Sequence, residues 1–259
     1  MSQDSIDDLF EQAVSGDEDD DEAWSAVTKL QFVGTREVLD KAIALTFSEN
    51  SYHRARGADI IGQLGVQPGI ASTSFIRERL IASLDLLRRE TVPLPLSSAI
   101  SAIGHIDEDE GIEEILRFRK HPNDEVRWHV ASALRGRDNP EIVSALIELM
   151  QDTEPTIRDW ATFGLGMQTN ADSQEIRDAL FERTRDTYMD AREEAIYGLA
   201  KRKDLRVLPQ LLDALGETNH GSRIEEAASE LLEMSYEKDD NEWTTSKYAE
   251  ALRIKFGLT

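Results

Sequence analysis

The sequence predicts an all-α protein of the α-solenoid class, with about six to seven helical hairpins in tandem. Three observations predict this. From Ala23 onward apolar residues recur at spacings of three and four, as helices with one buried stripe require. Turn signals break the pattern every ten to fifteen residues, and β-branched alternation is nearly absent. A short frame also returns along the chain. The stretches beginning Val126-Arg127, Ile157-Arg158 and Ala191-Arg192 each carry small or aliphatic residues three, four and six places after the Arg and Leu seven places after it. Self-similarity of this kind marks units that cannot bury their apolar faces alone and stack to do so.

Residues 1–22 read as a flexible acidic N-terminal segment. Asp17-Glu18-Asp19-Asp20-Asp21-Glu22 is an unbroken run of carboxylates, whose mutual repulsion favours a solvated chain. Ahead of it, Ile6, Leu9, Phe10 and Ala13 have the spacing of a short helix.

The repeated frame has six copies. Arg54, Gly57, Ala58, Ile60, Ile61 and Gly62 form the first. Leu96 replaces the Arg in a degenerate second copy, and Ile224 in the last. The reference positions 54, 96, 127, 158, 192 and 224 lie 42, 31, 31, 34 and 32 residues apart. Between them run partner helices such as Glu141 to Gln151, Gln174 to Arg185 and Leu205 to Leu215. Asn139-Pro140 and Asp172-Ser173 sit where helices prefer to start. Gly57, Ala58, Ala131, Ala133, Ala161, Gly164, Ala195 and Gly198 are small enough for each second helix to approach its neighbours closely.

At these residues the chain resembles the HEAT-repeat proteins, above all the short prokaryotic repeats named after phycobilin lyases. Their signature is Val/Ile-Arg followed by Ala-Ala and Ala-Leu-Gly, clearest here at Val126-Arg127 and Ile157-Arg158. Tyr52-His53-Arg54, Ile157 to Phe163 and Glu194 to Asp204 are similar to a prokaryotic HEAT family linked to immunity against Rhs-type toxins. The resemblance implies one helical repeat domain over 23–259 and a protein-binding role, with toxin neutralisation or a lyase-like enzyme or accessory subunit as alternatives.

Composition bears on partners. Asp and Glu total 51 against 29 Lys and Arg, a net charge of −22. That charge disfavours nucleic acid and anionic membranes, which are bound through displaced counterions and basic patches. Arg outnumbers Lys 21 to 8, and abundant carboxylates with few Lys fit a high-salt proteome, where screening relieves self-repulsion. No apolar run approaches the roughly 20 residues of a membrane span, and Met1 to Phe10 lacks a signal-peptide pattern. The expectation is a cytoplasmic protein. There is no Cys, so neither disulfides nor thiolate metal sites are expected.

No catalytic set is expected either, and no cofactor or metal. HEAT-type hydroxylases use His-Glu pairs, but Arg, Ile, Pro, Val and Gly follow His53, His105, His121, His129 and His220. Asp159 beside Trp160 only faintly echoes HEAT-type DNA glycosylases, against the charge balance. On a helical wheel the apolar positions of each second helix share one side, and the residues one, two and five places after the reference lie opposite. That face collects Trp128, His129, Asp159, Trp160, Phe163, Glu193, Glu194 and Tyr197. It is the candidate surface for a basic protein partner, with ring packing between repeats as the competing explanation. The recurring Arg54, Arg127, Arg158 and Arg192 are expected to form a structural ladder with turn carboxylates such as Asp124, Glu154 and Asp190.

Overall fold

Side-chain caps set many of the helix starts. Asp20, Thr35, Asn50, Asn139, Ser173 and Thr244 each accept a hydrogen bond from a first-turn amide, satisfying donors that have no partner within the helix. Pro140 and Pro155 open their helices, where a missing amide costs nothing. The computed structural model describes residues 5–66, 73–106, 109–234 and 243–258, and among these it is all-helical, with no strand.

Two compact units result, Met1–Ala133 and Leu134–Thr259, where the repeat pattern predicts one continuous domain. The first contains α1 (Ile6–Ala13), α2 (Asp21–Val33), α3 (Arg36–Leu45), α4 (Ser51–Gly62), α5 (Ile76–Arg89), α6 (Pro93–Ile106) and α7 (Asp109–Ile115), and α8 (Asp124–Leu134) closes it. The second contains α9 (Pro140–Leu149), α10 (Pro155–Gly166), α11 (Gln174–Arg183), α12 (Met189–Lys201), α13 (Leu208–Leu215), α14 (Ser222–Leu232) and α15 (Thr245–Phe256).

Consecutive helices pair as hairpins, and second helices stack on one another: α2 on α4 and α4 on α6 in the first unit, α10 on α12 and α12 on α14 in the second. This is the α-solenoid the repeats predict. Glycines set how closely the helices approach. A Cβ on Gly198 would lie 2.7 Å from the Gly166 Cα, and one on Gly62 would lie 2.8 Å from the Ala102 Cα. Each core is mainly aliphatic, with Val126, Val130, Ala131 and Leu134 at 0% exposure in one repeat and Ile157, Ala161 and Leu165 at 0–1% in another.

The N-terminal segment departs from the solvated leader that its charge predicts. Its helix α1 starts at a Ser5–Asp8 capping box, and Leu9 and Ala13 are buried against Val27, Leu30 and Leu39. The acidic run is held by its main chain. Arg56, 2% exposed, donates to the Asp17 and Glu18 carbonyls at 3.3 and 3.1 Å. Tyr52 donates to the Asp17 carbonyl at 2.8 Å, and the Trp24 indole to the Glu18 carbonyl at 2.7 Å. The last carboxylates then meet a helix start, with Asp20 capping α2 and Asp21 and Glu22 in its first turn, where the helix dipole favours negative charge.

Candidate functional site

The reference arginines point along the edge of the stack. Arg54 donates to the Ser48 and Glu49 carbonyls, both at 3.0 Å, and Arg158 to those of Asp152 and Thr153 at 3.0 and 3.1 Å. Arg127 likewise donates to the His121 and Pro122 carbonyls. Each thus ties the turn before its own helix. Arg54 also pairs with Glu90 at 2.7 Å, Arg158 with Asp186 at 2.8 Å and Arg192 with Glu217 at 2.9 Å. These carboxylates come from the following hairpin's turn, not from the Glu154 and Asp190 that the sequence suggests.

The predicted surface residues divide between the two units. In the first, Trp128 and His129 line a cavity of about 620 Å³ together with Trp24, Tyr52, Arg56 and Asp59. The Trp128 and His129 rings meet edge to face at 4.8 Å. His129 bonds Ser101 through Nδ1 and Glu125 through Nε2 at 3.0 Å. Burial lowers its basicity, and the Glu125 carboxylate partly opposes this. Burial likewise raises Asp59 to about 6, against the hydrogen bond from Ser98 and the charge of Arg56.

In the second unit Asp159, Trp160, Phe163 and Glu194 converge on a smaller cavity of about 260 Å³, joined by Asp190 and Arg223. It lies across the stacked helices α10, α12 and α14. Trp160 and Phe163 are half-buried and meet edge to face at 5.9 Å, and Arg135 lies over the Trp160 ring at 4.7 Å. Arg223 reaches Glu194 at 3.4 Å and the Met167 sulfur at 3.1 Å. Burial and the neighbouring Asp159 push the Glu194 carboxyl up to about 9, and burial raises Asp159 as well.

Two predicted positions fall elsewhere. Glu193 is 2% exposed and accepts a hydrogen bond from the Gly221 amide at 2.8 Å, so it anchors the start of α14. Tyr197 is half-buried beside Glu226 and Glu230, and burial followed by those carboxylates raises its hydroxyl pKa. The wheel treats positions one and two after the reference as exposed because it pairs each second helix only with its hairpin partner. At Glu193, the stacking of α14 on α12 covers a position that the wheel leaves open.

Asp190 and Arg223 do not stand out from the sequence as site residues. Asp190 looks like a ladder carboxylate. Arg223 lies one place before reference position 224, so it leaves its helix about 100° away from the ladder direction. The cluster Lys201-Arg202-Lys203 is structural. Arg202 donates to the Leu165, Gly166, Gly198 and Ala171 carbonyls, and Lys201 to those of Met167 and Thr169. Among the described residues no three His, Asp or Glu side chains form a metal-binding group. No helix there is long and apolar enough to cross a membrane.

Comparison with known proteins agrees with the architecture. The crystal structure of Escherichia coli YibA is 25% identical, covers 95% of this chain and 92% of its own, and superposes with a TM-score of 0.73. An engineered protein is 17% identical over 75% of this chain and 95% of its own, at a TM-score of 0.59. The CpcE–CpcF complex of phycocyanin lyase from Nostoc sp. also matches, at 17% identity over 79% of this chain and 80% of its own, with a TM-score of 0.44. No curated protein matches the sequence. The model of a family described as HEAT repeats matches residues 83–166 and 143–232, more than half of the chain. The chain therefore belongs to the HEAT-repeat family.

Proposed function

We propose that the protein is a non-enzymatic scaffold that binds another, basic protein through the exposed face of its second helices. One observation carries this reading. Two large rings, Trp160 and Phe163, stay half-buried at the mouth of an open cavity edged by Asp159, Asp190 and Glu194. Half-buried aromatics in a pocket are typical interface anchors, and a surrounding acidic field selects partners by charge. The net charge of −22 extends that preference beyond the cavity. A narrower reading, neutralisation of a protein toxin, has the same geometry, with the toxin as the basic partner.

Trp160→Ala separates recognition from packing. If the ring is an anchor, the variant keeps its helicity, loses less than about 2 kcal/mol in urea unfolding and no longer retains a basic protein that the wild type captures. A cost of about 3–5 kcal/mol, as for a core aromatic, would assign the ring to packing. A bound chromophore in the purified protein would favour the lyase-like alternative.

A further inference from the structure

The second-unit cavity holds a chemical imbalance. Glu194 is 4% exposed, and its Oε2 is buried without a hydrogen-bond partner, as is the Asp159 Oδ1. Oxygens of two ionised carboxylates cannot bond each other, since neither is a donor. A shared proton, a bound water or an added cation can satisfy them. The resident cation is Arg223, which reaches Glu194 at 3.4 Å and spends its Nε on the Met167 sulfur. Three carboxyls, Asp159, Asp190 and Glu194, thus line the cavity against one guanidinium.

We propose that this cavity receives one arginine side chain of the protein partner, its guanidinium set between the Asp159–Glu194 pair and the Trp160 and Phe163 rings. The inference rests on the protein-binding reading above and names what the partner must present. A planar guanidinium bonds carboxylates through a fork of N–H groups and stacks on aromatic faces, which a lysine ammonium does less well. The molecule already uses this contact where Arg135, which is not among the cavity-lining residues, lies over Trp160. The volume of about 260 Å³ suits a single side chain better than a folded segment.

Binding is linked to a proton. The groups facing the pair are Asp190 and Asp186, which disfavour its ionisation, Arg223, which favours it, and the Tyr188 phenol, whose pKa burial and then Asp159, Asp190 and Glu194 raise. Asp186 is already matched by Arg158 and Arg183. Burial and mutual repulsion therefore keep a proton on the pair at neutral pH, and an entering guanidinium expels it. Affinity then rises with pH, by at most about tenfold per unit.

The full chain, with its tryptophan indole nitrogens labelled and Trp160 assigned through Trp160→Phe, is titrated with Nα-acetylarginine methylamide. The expected result is a saturable shift of the Trp160 indole resonance in about the millimolar range usual for so small a ligand. The neutral isostere Nα-acetylcitrulline methylamide binds at least tenfold more weakly. Glu194→Gln and Asp159→Asn, checked for native helicity, each weaken arginine binding at least tenfold and flatten its pH dependence. Equal shifts from citrulline, a stronger effect of the lysine derivative or of Ca²⁺, or no shift at roughly 50 mM arginine derivative would overturn the assignment. If the arginine test fails while Trp160→Ala still abolishes partner capture, only the arginine assignment falls. If capture never depended on Trp160, the protein-binding reading falls with it.

Discussion

Asp186 and Glu194 are buried carboxyls with opposite pH behaviour. Asp186 receives Arg158 through two bonds, Arg183 at 3.0 Å and the Tyr188 amide at 2.9 Å. The Arg158 bonds, acting against burial, hold it down at about 2. Its stabilisation is present above the ordinary pKa near 4 and is lost as pH falls through about 2. Asp186→Asn should cost about 2–4 kcal/mol at neutral pH in urea unfolding, because it leaves the half-buried Arg158 guanidinium without its charge partner. Glu194 is raised, so the folded chain holds a proton that the unfolded chain releases. That contribution is present below about 4.5 and is lost as pH rises toward 9. The wild-type melting temperature should therefore fall between pH 6 and 9, and Glu194→Gln should remove most of the fall. The ladder arginines were legible in the sequence because the repeat fixes them at one place in a local frame. Their partners were not, since Glu90, Asp186 and Glu217 lie 36, 28 and 25 residues downstream of Arg54, Arg158 and Arg192. No constant spacing marks them.

Helices bring these residues together by stacking, and stacking is where the wheel falls short. It separates core positions such as Ile157, Ala161 and Leu165 correctly, and all three are buried. Its opposite face is not one surface but two. Part of it meets the next second helix, which covers Glu193, and part stays open at the cavity lined by Trp160, Phe163 and Glu194. Close approach of α10 and α12 depends on Gly198. Gly198→Leu would press into the Gly166 backbone, at an expected cost of about 1–3 kcal/mol in chemical denaturation. The acidic N-terminal run shows composition overruled by main-chain bonding. Six carboxylates predict a solvated chain, and nothing local in the sequence reveals that Arg56, sandwiched against Trp24 at 4.1 Å and Tyr52 at 4.7 Å, holds the Asp17 and Glu18 carbonyls. Arg56→Ala should raise amide hydrogen exchange across residues 15–20 while α10 to α14 stay protected.

Across the whole molecule, charge has the widest reach. A chain at −22 repels itself, and salt screens that repulsion more than it weakens the few buried ion pairs. Raising NaCl from a few millimolar to about 1 M should raise the melting temperature, and a flat profile would remove the high-salt reading. The repeats made the architecture readable, since nearest-neighbour stacking writes the same local pattern many times. A binding site is written once, from residues such as Asp190, Glu194 and Arg223 on different helices, so no periodicity announces it. The central claim is that the open side of these helices recognises a basic protein, and photo-crosslinking tests it most directly. With a benzophenone amino acid at Phe163, the account predicts one dominant adduct with a basic protein, suppressed by added arginine derivative and absent when the probe sits at the exposed Glu175 of α11. Equal adducts from both positions, or an adduct only from Glu175, would contradict it.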